Sequence, residues 1–273
     1  MTKLIALIYD HAAAPLLFDV QRGMLAAMAG SDFALVPCAI ETANPVTELL
    51  AFLQAHSPAG VLLLPPLSED ESLAQLCDAL GCDRMSFAAA ATDPARAVAS
   101  DDRQAAAEAV GYLVSLGHER IGMITGPEES RIAQQRELGY LDAMADHDLD
   151  RGPALIATGD HSFQSGQAAA MLLLEVSPRP TAIFAANDEM AAGARHAAAR
   201  KGIAVPEALS IVGFGDTPLA EQLSPALTTV HVPFAEMALA AAARLIGAEG
   251  AESLPSRFTP ALVARGSAGA CPA

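Results

Sequence analysis

Tryptophan is absent, and phenylalanine and tyrosine raise the aromatic share of the 273 residues to only 4%. Hydrophobic residues still make up 52% of the chain, much of it alanine. That composition favours many closely packed helices over a β-sandwich and argues against disorder. Basic residues are also scarce. Sixteen Lys and Arg stand against 32 Asp and Glu, for a formal net charge of -16. Such a surface repels phosphate backbones and anionic membranes, so these residues alone are a poor binder of nucleic acid.

The four cysteines, Cys38, Cys77, Cys82 and Cys271, are too few and too scattered for a disulfide framework. None forms a CxxC pair and no cysteine–histidine set completes a zinc site, so reduced thiols and no metal are expected. Long apolar runs are missing as well. The opening "MTKLIALIYDHAAAP" has one Lys and about five apolar residues before Asp10, too short for a signal-peptide core, and nothing approaches a membrane span. A soluble cytoplasmic protein is expected. Catalytic motifs are equally scarce. No GxGxxG follows the first strand, and "GFGDTP" at Gly213 has Pro218 where a third glycine should fall. No GxxxxGK[ST], GxSxG or HExxH occurs. Asp160, His161 and Ser162 are adjacent in sequence, a poor geometry for a triad. The chain is expected to be no enzyme and to need no cofactor.

What is present is a rhythm of short oily runs and longer amphipathic stretches. Strand-like segments are Leu4 to Ile8, Phe33 to Val36, Gly60 to Pro66 and Val98 to Ser100. After "SLGHER" the rhythm restarts with Ile121 to Thr125, Ala154 to Thr158, Ala182 to Ala185, Ser210 to Phe214, Thr228 to Val232 and Phe258 to Val263. Helical spacing fills the gaps, from Pro15 to Ala29, Asn44 to His56, Glu69 to Leu80, Asp102 to Leu116, Arg131 to Ala145, Ser162 to Leu174, Asp188 to Arg200 and Ala235 to Gly247. Strands oily on both faces and separated by helices mean parallel sheets flanked by helices. The restart near Gly117-His118 implies two similar α/β subdomains.

Ligands in such sheets sit outside the carboxyl ends of the strands, and that is where polar residues recur. Asp10 and His11 follow the first strand, and Asp101 and Asp102 follow Val98 to Ser100. Asp160 and His161 precede Phe163, Asn187-Asp188 follow Phe184, Asp216 follows Phe214, and Arg136 lies on the helix after Thr125. Carboxylates accept from hydroxyls, an amide donates and accepts, and a guanidinium donates as a fork, a mixture suited to vicinal hydroxyls. Each residue also has a plainer role: Asp101, Asp102, Asp188 and Ser162 are all placed to cap helices, while Arg136 and His161 would by default be solvated.

The segments "LGHERIGMITGPEESRIAQQRELGYLDAM", "PTAIFAANDEMAAGARHAAARKGIAVPEALSIVGFGDTPLAEQLSPALTTV" and "LVARGS" strongly resemble the lactose-repressor (LacI/GalR) family of bacterial transcription regulators. The likeness runs from Leu4 to Ser267 and is densest after Gly117. It implies an effector-binding core of two periplasmic-binding-protein-like, Rossmann-like subdomains joined by three crossovers: 1–117 plus about 233–254, and 118–232 plus about 255–273. A sugar or related metabolite would bind in the cleft between the lobes and alter operator affinity, in a homodimer. The family's helix-turn-helix headpiece has no counterpart in these residues, so operator DNA would be met only through such a headpiece.

Position by position, the resemblance makes Arg136 the arginine that grips ligand hydroxyls and Asn187 the ligand-facing amide. Asp188 would then cap its helix or brace Asn187. His161 falls where the family usually has an aromatic platform and would make binding sensitive to pH near neutrality. Phe234 matches a frequent pocket aromatic. Asp10, Ala14, Pro15 and Leu16 fall on the first-lobe loop, Asp101 on a strand end, and Asp216 beside Gly215, where many sugar binders carry Asp. Fewer hydroxyl-binding groups than usual follow from Gly215, Val232 and Ala14. Two rivals stand beside this reading: a solute-binding protein of a sugar transport system, and an α/β enzyme acting on sugars.

Overall fold

The computed structural model describes residues 2–41, 43–89, 93 and 95–272. The chain divides into two compact units, residues 1–100 with 233–258 and residues 101–232 with 259–273, so it passes from one unit to the other three times. The first boundary lies at Ser100-Asp101, earlier than the expected Gly117, because the helix after Asp101 packs on the second unit.

Unit 1 begins with β1 (Lys3–Tyr9), α1 (Leu17–Met28), β2 (Phe33–Ala39), α2 (Pro45–His56), β3 (Gly60–Leu63), α3 (Glu71–Ala79), β4 (Asp83–Ala88) and β5 (Ala97–Ser100). Unit 2 takes over with α4 (Asp102–Ser115), β6 (Ile121–Thr125), α5 (Arg131–Asp146), β7 (Ile156–Thr158) and α6 (Phe163–Leu173). It continues through β8 (Ala182–Ala185), α7 (Asp188–Arg200), β9 (Ser210–Val212), α8 (Pro218–Gln222) and β10 (Thr229–His231). The chain returns to unit 1 for α9 (Phe234–Leu245) and β11 (Arg257–Phe258), and ends in unit 2 with β12 (Ala261–Val263).

The sheet of unit 1 has the order β11-β5-β4-β3-β1-β2 and is parallel throughout. Unit 2 has a parallel sheet ordered β7-β6-β8-β9 and a separate antiparallel pair, β10 with β12. The oily runs that marked the strands are fully buried in β3, β6 and β8, as helices on both faces require.

The structure departs from the expected elements in three places. β4 had no counterpart in the sequence reading: its first residues, Asp83 and Arg84, are charged, and Arg84 is held by Asp78 at 3.2 Å, while Met85, Ser86 and Phe87 are buried. The expected last strand, Phe258 to Val263, is two strands in different units, β11 on β5 and β12 on β10. The short helix α8 was not anticipated either, its five residues being too few to show a period.

Alanine and glycine let helices approach closely. A Cβ on Gly139 of α5 would fall 2.2 Å from the Arg103 carbonyl oxygen of α4. Only a residue without a side chain allows that crossing, and the crossing fixes where Asp102 meets α5.

Candidate ligand-binding face of unit 2

Because β6 to β9 are parallel, their carboxyl ends share one edge, and the loops leaving them collect the polar residues of the sequence. Arg136 lies a turn and a half into α5 and is buried, 9% exposed. Its Nε donates to Asp102 Oδ2 at 2.8 Å, its Nη1 to the Ala186 carbonyl at 2.6 Å, and its guanidinium carbon sits 4.0 Å from the Phe214 ring centroid. Nη2 also lies 2.8 Å from Asp102 Oδ2. A guanidinium has five N–H donors, so this clamp leaves terminal Nη hydrogens free of any described protein acceptor. Asp102, expected as a helix cap, is instead the buried counterion of Arg136.

His161 stands on the loop from β7 to α6 with φ of 70°, a left-handed conformation that costs a non-glycine residue about 1–3 kcal/mol. The loop is braced around it. Asp160 Oδ1 accepts from the Ser162 N–H, the Asp160 N–H donates to Ser165 Oγ, and Ser162 caps α6 by accepting from the Ser165 N–H. The Ser162 and Ser165 hydroxyls, then the Ser162 N–H, hold the Asp160 carboxyl down at about 2. The imidazole lies on the turn after β6, where a Cβ on Gly126 would come within 2.5 Å of Cε1. Burial, then the positive charge of Arg136, pushes the His161 pKa down to about 4, against a smaller upward pull from Asp160. The expected pH sensitivity near neutrality is therefore overturned: His161 is neutral there.

Asn187 and Asp188 divide their work differently from expectation. Asn187 is the N-cap of α7, its Oδ1 accepting from the Met190 N–H at 2.8 Å, and its Nδ2 donates to the His161 carbonyl at 2.9 Å. Asp188 neither caps nor braces Asn187. It is buried and accepts from the Thr217 N–H at 2.7 Å, Thr217 Oγ1 at 3.1 Å and Thr229 Oγ1 at 2.5 Å, tying α7 to α8 and β10. Burial raises its pKa, and the threonine hydrogen bonds oppose the rise. Sequence reasoning missed Asp102, Thr217 and Thr229 as partners in this network, since each lies 29 to 41 residues from the residue it meets.

Asp216, φ 55°, has Oδ2 3.0 Å from His231 Nδ1, while its buried Oδ1 lies 2.7 Å from Arg265 Nη2 as an ion pair without hydrogen-bond geometry. Asp101 precedes α4 without capping it. In unit 1, Asp10 Oδ1 accepts from the Ala13 N–H at 3.2 Å, and Ala14, Pro15 and Leu16 form the 3-10 turn that follows. Phe234 opens α9 and stacks on Phe87, centroids 6.5 Å apart and planes 12° apart. Unit 2 thus brings Arg136, His161 and Asn187 together at one edge, while Asp10, Ala14, Pro15, Leu16 and Phe234 belong to unit 1. Among the described residues, no cluster of three or more His, Cys, Asp or Glu is arranged to hold a metal ion, and no helix is long and apolar enough to cross a membrane.

The family profile described as "Periplasmic binding protein-like domain" matches residues 110–268. The transcriptional repressor CytR of Escherichia coli K12 is 43% identical over 133 residues, 49% of this chain and 39% of that protein. The regulator AscG of the same strain is 37% identical over 169 residues, 61% of this chain and 50% of that protein. A solved complex of the transcriptional regulator CelR with cellobiose superposes with a TM-score of 0.85 at 26% identity, covering 97% of this chain and 85% of that one. The chain belongs to the periplasmic-binding-protein-like domain family, as an effector-binding domain of the LacI type. These relatives are transcriptional repressors and regulators, not enzymes. The chain spans about half the length, or less, of the curated relatives it matches.

Proposed function

We propose that the chain is the sensor core of a cytoplasmic, homodimeric transcription regulator that binds a mono- or oligosaccharide at the carboxyl ends of the unit 2 strands. Arg136 and His161 are the principal contacts, and Asp10, Asp101, Asp216, Phe234 and the Ala14-Pro15-Leu16 turn are the further candidates. Operator DNA is met through a helix-turn-helix segment outside these residues, consistent with the net charge of -16. Sugar occupancy alters operator affinity by favouring one arrangement of the protein over another.

The observation that carries this reading is the clamped guanidinium of Arg136. Asp102, the Ala186 carbonyl and the Phe214 ring hold it rigid while terminal N–H donors remain for a hydroxyl oxygen. The complex of CelR with cellobiose supports the ligand class. Calorimetric titration with a panel of mono- and disaccharides, cellobiose included, tests it. Saturable binding of at least one sugar, recovered unchanged afterwards, is expected. A panel without a binder overturns the sugar reading, and chemical turnover of the bound sugar overturns the non-catalytic one.

A further inference from the structure

Asn187 makes two hydrogen bonds within unit 2: Oδ1 takes the Met190 N–H at the start of α7, and Nδ2 reaches across to the His161 carbonyl. The residue so held is the one in this loop with a left-handed backbone, φ 70°. Its imidazole lies over Gly126, where even a methyl group would collide with the ring. The charged groups that act on the imidazole are Arg136, from α5, and Asp160, from its own loop. Among the described residues no group hydrogen-bonds the ring nitrogens, so the ring is placed by its backbone and by packing, and the Asn187 amide holds the His161 carbonyl within a loop that Asp160, Ser162 and Ser165 also brace.

Building on the sugar-sensor reading, we propose that Asn187 is a positioning residue that acts on ligand through His161, fixing the left-handed loop so that the imidazole presents its ring nitrogens beside the Arg136 fork. Asn187 and His161 then form one unit in recognition.

The variant that separates this role from helix capping is Asn187→Ser. A serine oxygen still caps α7 but is too short to replace the bond from Nδ2 to the carbonyl. NMR titration of the His161 imidazole in the unliganded chain needs no ligand. In the parent it should half-titrate near 4. In Asn187→Ser, release of the ring from its buried place beside Arg136 should raise that midpoint by about one unit or more toward the ordinary 6.5. Gly126→Ala should move it in the same direction by displacing the ring directly. An unmoved midpoint in Asn187→Ser overturns the proposal.

A double-mutant cycle with cellobiose as probe gives the second arm. Asn187→Ser and His161→Ala should weaken binding by similar factors, and the double variant no more than His161→Ala alone. Additive losses would place Asn187 on the ligand itself and overturn the proposal. Absence of cellobiose binding to the parent counts against cellobiose as ligand, and the titration still decides the role of Asn187.

Discussion

The two units are built on the same plan and equipped differently. At the strand ends of unit 2, Arg136, Asp102, Asp188, Thr217 and Thr229 are tied into buried hydrogen-bonded pairs, each partner brought from a different element. Unit 1 offers Asp10 on the Ala13 N–H, a turn of small and apolar residues, and the stacked rings of Phe87 and Phe234. A network of buried polar groups specifies its residues one by one, because a missing partner leaves an unsatisfied charge or donor. A turn lined by apolar groups accepts many residues of similar volume. The family profile matches residues 110–268, which takes in most of unit 2, though not Asp102, and only residues 233–258 of unit 1.

The contrast can be broken most forcefully at Asp188. Asp188→Ala leaves the Thr217 N–H and two threonine hydroxyls without their acceptor in a buried place, and should cost about 3 kcal/mol of stability. Asp10→Ala in unit 1 should cost about 1 kcal/mol. Urea unfolding of both variants beside the parent checks the ranking, and equal losses would erase the distinction between the units.

Helix packing gives the next largest effect. Gly139→Ala sets a methyl group against the Arg103 carbonyl and must push α4 from α5, at about 2 kcal/mol. Gly111→Ala, on α4 with open space around it, should instead be neutral or stabilise by up to about 1 kcal/mol. Thermal unfolding distinguishes the two, and a harmless Gly139→Ala would show that the α4–α5 crossing does not fix the Asp102–Arg136 pair.

A smaller effect concerns acid. The folded pKa of His161, about 4, lies below its ordinary value of 6.5. Between those values the unfolded chain binds more protons, so stability rises with pH across that window. The contribution of His161 is complete above 6.5 and is lost as pH falls toward 4. His161→Gln should therefore flatten the stability profile between pH 4 and 6.5 while leaving its slope above pH 7 unchanged. An unaltered acid limb would mean that the imidazole is not held as described.

Much of the fold was legible because its signals are local. Ile121–Thr125 and Ala182–Ala185 are oily on both faces, and the helices between strands carry their apolar residues at helical spacing. What failed depended on partners far along the chain. Asp83 and Arg84 disguised β4, and nothing near Phe258 or Ala261 announces that one pairs in unit 1 and the other in unit 2. At the site, the placement of Arg136, His161 and Asn187 on one edge was readable from strand ends. The jobs of Asn187 and Asp188 were not, since the first turns on the His161 carbonyl and the second on Thr217 and Thr229, and neither was the acid-shifted imidazole, which turns on its burial beside Arg136.

The central claim is that the clamped guanidinium of unit 2 reads the ligand. It is tested most directly with Arg136→Lys, which keeps the charge opposite Asp102 but removes the fork. Calorimetry with a sugar that binds the parent should show affinity reduced roughly 100-fold, the order expected when charge-assisted hydrogen bonds to the ligand are lost. Binding of that sugar to Arg136→Lys with parental affinity, in a variant that folds normally, would contradict the account.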